Sequence, residues 1–549
     1  MAYQSDSRAW PALQGAWLTA LVIIVLLLAV AAPMAPLAGN RFHHDEALYS
    51  SWGLDIASGR DIMVSGSPVD KPPLSLYLQA VSFLLLGVSE ASARIPSLLA
   101  HVISVWLLFR VGGLLYDNRT GLLAALLLAA SPFAILFAAT AFTDSMMVAW
   151  GLAGCLLALR RRWLPAGVAV GLAAITKQQG MFFVPLALSL AYVYHVPREA
   201  SLRFGGVWSQ LSRFVLGLLL MLIAAVVWDI SRGRQPGFLA QSLLSYGGLR
   251  VTTSMIGDRL IGFLSLLRFG TGSAVLNWIL VVGGGCLLVK DVLVLVCAAR
   301  VGNNSLCRWW RALSFRVFPA RNDMQLVQVN TPSTSSCTAT VDLVVVGFCA
   351  VFLLIHALVS FQVWDRYMLG LVPLLGLVLA RVLYSGWQLA MAVTDAVAAR
   401  NQLIHAIVTG AAMILLMSLL VGPVQDAAAS RLPVGGDHGA YEGIDQVVAF
   451  LRTVPADTTL YHRWLGGHWR FYLWSNPYDF RYWDTEVDLA RQAVGHPGAD
   501  RYVVFPSWQS PTEAGLALEA RGLALEEAHR ALRGDGSVSF RVFRIEEAE

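Results

Sequence analysis

The chain has 549 residues, of which 56% are hydrophobic and only 14% charged, with a formal net charge of +5 and a mean hydropathy of +0.60. A water-soluble globule carries about 25% charged residues, so most of this length belongs in lipid. The modest net charge carries no sign of a nucleic-acid partner; where the charges fall says more than their sum.

Trp17 to Leu37 is the first apolar run, close to the ~20 residues that cross a bilayer, and longer than the core of a cleaved signal peptide. It is read as an anchor. Pro73 to Gly87 is apolar but short, which suits a helix lying on the membrane. The Arg160-Arg161-Arg162 cluster is assigned to the cytoplasm by the positive-inside rule, and this sets the parity of its neighbours. Spans follow at Ile95–Leu115, Gly121–Ala138, Ala141–Leu159, Leu164–Thr176, Met181–Tyr194, Phe214–Ile230, Gly272–Val289, Val341–Phe361, Met368–Tyr384 and Leu403–Val421. That makes eleven, with the N-terminus inside and the C-terminus outside. Expected inner segments hold Arg119, Arg198, Arg203, Arg300, Arg308, Arg311, Arg316, Arg321 and Arg400, whereas the outer loop 38–94 is rich in acids.

That first outer loop concentrates chemistry. It opens with His43, His44, Asp45 and Glu46 and closes with Asp70, Lys71, Pro72 and Pro73. Acids, two histidines and a lone lysine before a rigid Pro-Pro suggest a built site rather than a connector. Further along, Asp144 stands at the outer end of a span, where an acid is costly unless paired or wet; it could equally cap the helix that follows. Lys177 occupies a tight outer turn, and Arg250 and Arg366 also face outward, the latter within Trp364-Asp365-Arg366-Tyr367.

The remaining segments are less pointed. In the inner loop 290–340, Leu306, Trp309 or Trp310, Leu313 and Val317 recur at helical spacing between arginines, as in a helix on an anionic leaflet. Thr331 to Thr340 is Ser/Thr-rich and is expected to be mobile. The six cysteines fall in spans or this loop, so no disulfide is expected, and no Cys-His spacing suits zinc.

From Gln425 the chain becomes soluble in character. A helix around Ile444, Val447, Val448 and Leu451 ends at Pro455. Strands are expected at Thr459–Tyr461, Phe480–Trp483, Tyr502–Phe505 and Val538–Phe543, with helices near Val487–Ala493 and Thr512–Ala520. This alternation predicts a small α/β domain over 425–549, beside a membrane domain over 1–424. It contains no glycine-rich phosphate loop. Its aromatic run from Tyr461 to Trp474 could stack on sugars, but core packing is the simpler reading.

An acid pair after the first span followed by acid-Lys-Pro-Pro resembles the GT-C class of integral-membrane glycosyltransferases, and within it the branch of protein O-mannosyltransferases and lipid A aminoarabinose transferases. The resemblance runs from about Phe42 to Pro185, with a weaker stretch at Trp364–Pro373. It implies a helical polytopic fold of about eleven spans with an extracytoplasmic α/β domain. It also implies inverting transfer of a sugar from a polyprenyl-phosphate donor to a glycan, lipid or protein acceptor. On that footing Asp45 takes the acceptor proton, with Asp144 as the second catalytic acid. Glu46 orients Asp45 or touches sugar hydroxyls, and Lys71, held by Asp70, faces the phosphate. Lys177, Arg366 and Tyr367 complete the substrate contacts. Ala138 and Ala139 stand where relatives often carry an arginine, and Gln178-Gln179 replaces the usual glycine after the Thr-Lys turn, which loosens the assignments of Asp144 and Lys177. The resemblance makes no cofactor certain. A divalent cation stays open, although adjacent residues such as His43 to Glu46 rarely share one ion.

Two other readings remain at this stage. A transporter predicts ionisable groups near the bilayer midplane, whereas here they gather in outer loops and at outer helix ends. A catalytically silent relative could serve as a structural subunit.

Overall fold

The computed structural model describes residues 9–195, 204–245, 253–299, 333–359, 362–397, 401–496 and 500–548. Arg250, the expected membrane-surface helix at Leu306–Val317 and several inner arginines, Arg300 among them, lie outside these residues. The larger part is a helical bundle. Seven helices are long and apolar enough to cross a membrane: 16–39, 90–115, 206–231, 274–296, 337–358, 372–397 and 402–428. An eighth candidate is the pair Asn118–Ala129 and Pro132–Ala138, bent by 60°. The expected spans between Ala141 and Tyr194 fall on the shorter helices Asp144–Leu159, Trp163–Thr176 and Phe183–His195. This is a multi-pass membrane protein.

Small residues bring the helices together, as expected where lipid removes the hydrophobic drive between them. A Cβ on Gly167 would fall 1.9 Å from the Phe214 carbonyl oxygen, and one on Gly217 would fall 2.3 Å from that of Leu164. Backbone therefore meets backbone where Trp163–Thr176 crosses Phe204–Ser231.

Several local expectations need correction. Of the tract Thr331–Thr340, the part from Ser333 onward is helical, forming the start of the Ser333–Leu358 helix. Glu90, not Ile95, begins the second long helix, so Arg94 sits inside a helix rather than at the end of a loop. The first loop itself is largely helical, with His44–Ala57 and Leu74–Leu86.

The C-terminal lobe is a five-stranded mixed sheet: β1 (Thr459–His462), β2 (Asp479–Tyr482), β3 (Arg501–Pro506), β4 (Leu523–Leu532) and β5 (Val538–Glu547). Their spatial order is β2-β1-β3-β5-β4. β1 runs parallel to β2 and β3, while β5 is antiparallel to β3 and β4. β4, LALEEAHRAL, carries no alternation strong enough to announce a strand; its pairing with β5 makes it one. Apolar residues from both faces form two cores, one around Trp469 and Phe540 and one around Trp483 and Phe505.

The lobe is seated on the first loop by specific contacts. His468 Nε2 lies 3.0 Å from the Phe42 carbonyl oxygen, Arg41 pairs with Asp445 at 3.1 Å, and the Tyr472 hydroxyl bonds to Glu90. The rings of Phe42 and Phe471 meet edge to face at 4.9 Å. Most of the aromatic run is thus core or seam, while Trp464 stays 48% exposed.

Candidate active site

At the end of the bundle beneath the lobe, three acid–cation pairs come together from five separate segments. The first is built on the N-terminus of His44–Ala57. His43 caps this helix, its Nδ1 accepting the Asp45 N–H at 3.1 Å, while Glu46 accepts the His43 N–H at 3.0 Å. The cap fixes Asp45 in the first turn, where the helix end favours negative charge. There the Asp45 carboxylate accepts a hydrogen bond from Arg366 Nη1 at 2.5 Å. Burial alone would raise the Asp45 carboxyl, but the charge of Arg366 and its hydrogen bond overcome it and hold the group below the ordinary carboxylate range.

Arg366 lies in the short helix Asp365–Met368, its guanidinium 4.2 Å from the centre of the Trp364 ring. Asp365 fastens that turn to the C-terminal segment: one oxygen accepts the Arg366 N–H and the other the Gly435 N–H, both at 2.7 Å. Gly435 has φ +67°, and a Cβ there would come within 3.0 Å of Leu136, so only glycine fits without strain.

The second pair is Lys71 with Asp70, the lysine 4% exposed and 5.6 Å from the Tyr49 ring centre. The third is Lys177 with Asp144 at 2.5 Å, both almost fully buried, the ammonium 4.7 Å from the Tyr367 ring centre. Gln178 Nε2 donates to the Asp70 carbonyl at 3.1 Å, which ties the second and third pairs together. Burial brings Lys177 down to about 8; Asp144 opposes this, whereas the positive charges of Arg366 and Lys71 reinforce it. The three cations therefore feel one another. Asp144 is not a helix cap in the usual sense: it is the first helical residue, and its carboxylate is turned to Lys177.

Glu46 requires a correction. It is fully buried and accepts from Arg94 Nε at 3.2 Å, the Ala141 N–H at 2.7 Å and the His43 N–H at 3.0 Å. Buried and held by three N–H donors, it is a strut that fixes the turn carrying Asp45, which is the orienting role, and its burial leaves no face open for a sugar hydroxyl. Arg94, which the sequence reading passed over, is its counterpart. This fully buried guanidinium has five acceptors: Glu46, Glu90 and the carbonyls of Leu37, Asn40 and Arg41. The available signal was a lone arginine within the apolar stretch Ser92–Leu99, where an unpaired charge is too costly to leave.

Ala141 N–H, held by Glu46, and the Ala141 carbonyl, held by Gln79 at 2.8 Å, pin the turn that leads to Asp144. One buried network thus places both Asp45 and Asp144. The histidines are used in the same scaffold: His43 Nδ1 is spent on the helix cap, and His44 Nδ1 lies 2.8 Å from the Trp464 carbonyl. Among the described residues no group of three or more His, Cys, Asp or Glu side chains is arranged to hold a metal ion.

An apolar groove starts beside this site. A cavity of about 530 Å³ lies between Met181–Ser189 and Leu343–Ile355, and a second of about 430 Å³, bounded by Arg161, Trp163 and His195, shares Ser189 and Val344 with it. Phe182, Phe352 and His356 stack at its upper end, where His356 meets Gln179, two residues from Lys177.

Among the described residues, a further charged cluster lies away from the lobe end of the bundle. Asp342 accepts from the Tyr116 hydroxyl at 2.5 Å and pairs with Arg381 at 3.3 Å. Tyr116 follows the 26-residue helix Glu90–Leu115, about 39 Å from its lobe end, so this cluster sits at the opposite side of the bundle.

The fold is that of the GT-C class of membrane glycosyltransferases. Residues 70–230 match the family model of dolichyl-phosphate-mannose-protein mannosyltransferases, a stretch that holds Lys71, Asp144 and Lys177 but neither Asp45 nor Arg366. YycA of Bacillus subtilis (strain 168), provisionally named a mannosyltransferase, is 33% identical over 170 residues; that segment is 30% of this chain and 24% of YycA. Among solved structures, ArnT from Cupriavidus metallidurans bound to undecaprenyl phosphate superposes with a TM-score of 0.56 at 16% identity, covering 96% of this chain and 98% of that one. AglB, the archaeal oligosaccharyltransferase from Archaeoglobus fulgidus in complex with an inhibitory peptide and a dolichol-phosphate, gives 0.51 at 12% identity over 96% and 74%.

Proposed function

We propose that the protein moves a sugar from a polyprenyl-phosphate donor to an acceptor on the extracytoplasmic side, with inversion at the anomeric carbon. The observation that carries this is the convergence of Lys71, Lys177 and Arg366, each with its own carboxylate, at the head of an apolar groove. Residues 1–424 would form the membrane domain and 425–549 an extracytoplasmic lobe, in the inner membrane. The lipid chain lies in the groove, as befits its apolar lining, and the phosphate meets the three cations. The ArnT and AglB structures, which hold undecaprenyl phosphate and a dolichol-phosphate, support a donor of this kind.

In the reaction the acceptor oxygen bonds to the anomeric carbon, the bond from that carbon to the phosphate oxygen breaks, and polyprenyl phosphate departs with the electron pair. The acceptor proton passes to Asp45. A carboxylate held by Arg366 is a weak base, so the guanidinium must shift its hydrogen bond towards the phosphate as the donor binds, which restores the basicity of Asp45. Asp144 keeps Lys177 charged and placed, and Tyr367 supports the lysine with its ring. No step requires a metal ion.

Asp45→Asn preserves shape and removes the base, so turnover of a radiolabelled polyprenyl-phosphate sugar in membranes should fall by roughly 10² to 10⁴. Near wild-type transfer by this variant would sink the assignment, and a retained anomeric configuration would exclude single displacement. Among the described residues, the charged cluster a transporter could use away from the lobe is that of Asp342. Its charges are paired with one another, and it lies apart from the groove head, so the enzyme reading is preferred.

A further inference from the structure

The donor reading leaves the C-terminal lobe unexplained, although the lobe touches the first loop at His44, the neighbour of Asp45. Trp464 and Trp508 each stand two residues beyond the end of a parallel strand, β1 and β3, which are direct neighbours in the sheet. Each is 48% exposed. Open α/β sheets take ligands at the carboxyl ends of their parallel strands, and here those ends face the first loop, since the Trp464 carbonyl meets His44.

A row of rings leads inward from Trp508. It meets Tyr441 edge to face at 5.5 Å, Tyr441 stacks on His468 at 4.4 Å, and His468 lies 6.4 Å from His44, the neighbour of Asp45. Burial, together with the charges of Asp45 and Asp437, raises the Tyr441 phenol, so it remains a hydrogen-bond donor within the field of Asp45. Its hydroxyl makes no hydrogen bond to any described residue. Burial also brings His468 down to about 3, so the middle of the row is an uncharged aromatic. The arginines bordering the row are engaged elsewhere: Arg463 pairs with Glu486, and Arg533 bonds to Ser507 Oγ and the Val538 carbonyl.

We infer that Trp508, the exposed end of this otherwise buried row, is the acceptor subsite and that it takes a neutral carbohydrate, one sugar ring lying on Trp508 with a hydroxyl directed towards the Tyr441 hydroxyl and Asp45. The inference rests on the transfer reaction proposed above and adds the chemical class of the acceptor. An amphipathic ring face ending in a free hydroxyl suits the C–H face and hydroxyls of a sugar. An anionic headgroup would call for cations, and those of the site stand on the donor side with their own carboxylates.

The test uses the full chain in membranes, with radiolabelled polyprenyl-phosphate sugar as donor and the endogenous acceptor. Trp508→Ala should cut transfer about tenfold or more, whereas Trp508→Phe, which keeps a ring, should retain most of it. Tyr441→Phe should also reduce transfer. All three purified variants should still be thermally stabilised by polyprenyl phosphate to the wild-type extent. The labelled product should resist protease digestion and extraction into organic solvent. Wild-type transfer by Trp508→Ala, or loss of its response to polyprenyl phosphate, overturns the subsite while leaving the donor reading intact. Label released as glycopeptide or extracted as lipid overturns the carbohydrate assignment. A wild-type chain that neither responds to polyprenyl phosphate nor transfers overturns the transferase reading and this subsite with it.

Discussion

Glu46→Gln is the sharpest test of how the site is assembled. The substitution keeps the size of the side chain and removes its charge. Arg94, fully buried, would keep three backbone carbonyls and Glu90 at 3.5 Å but lose its closest ionic partner. Removing one member of a buried pair costs about 3–5 kcal/mol, and the remaining acceptors place this case near about 3 kcal/mol, a shift of roughly 150-fold in the folding equilibrium. Arg94→Met should cost as much or more, because it leaves a buried carboxylate with only the N–H groups of His43 and Ala141. The double variant should be distinctly less destabilised than the sum of the two, since the penalty of each is the charge left behind by the other. Thermal unfolding of the purified proteins in detergent measures all three. A wild-type midpoint for Glu46→Gln, or strict additivity in the double variant, would refute the argument that this pair is the strut beneath Asp45 and Asp144.

Other outcomes follow from the same geometry. Lys71→Met should weaken polyprenyl-phosphate binding and turnover together, because the phosphate is charged in both ground and transition states; a change in turnover alone would contradict its placement. Lys177, with burial bringing it down to about 8, loses its charge as pH rises through that value, so kcat/KM for the donor should fall on the alkaline side of pH 8, and Lys177→Arg should move that fall upward. On the acid side Asp45 stays ionised below the ordinary carboxylate range, so no loss of the base is expected down to about pH 4. Cysteines introduced at Ser65 and Ser510 should both react with an impermeant reagent in intact cells; labelling of one alone would break the proposed orientation.

Much of the architecture is legible from local properties of the chain. Lipid requires long apolar helices, so hydropathy finds them wherever they occur, and the alternation after Gln425 announces a sheet lobe. The Asp45 and Lys71 motifs stand out because ionisable residues are scarce around them. Tertiary structure alone decided the partnerships. Asp45 and Arg366 are 321 residues apart, Asp144 and Lys177 are 33, and Glu46 and Arg94 are 48. No periodicity links such positions; desolvation does, because a charge taken out of water must find its opposite, and the packing of helices settles which one is within reach. That is why only the fold decides between the two roles open to Glu46, orienting Asp45 or touching sugar hydroxyls, in favour of the first, and why β4 and Tyr441 acquire meaning only once the sheet is paired and its lobe is seated on the first loop. The sequence carries the menu of charges, and the fold selects their pairs.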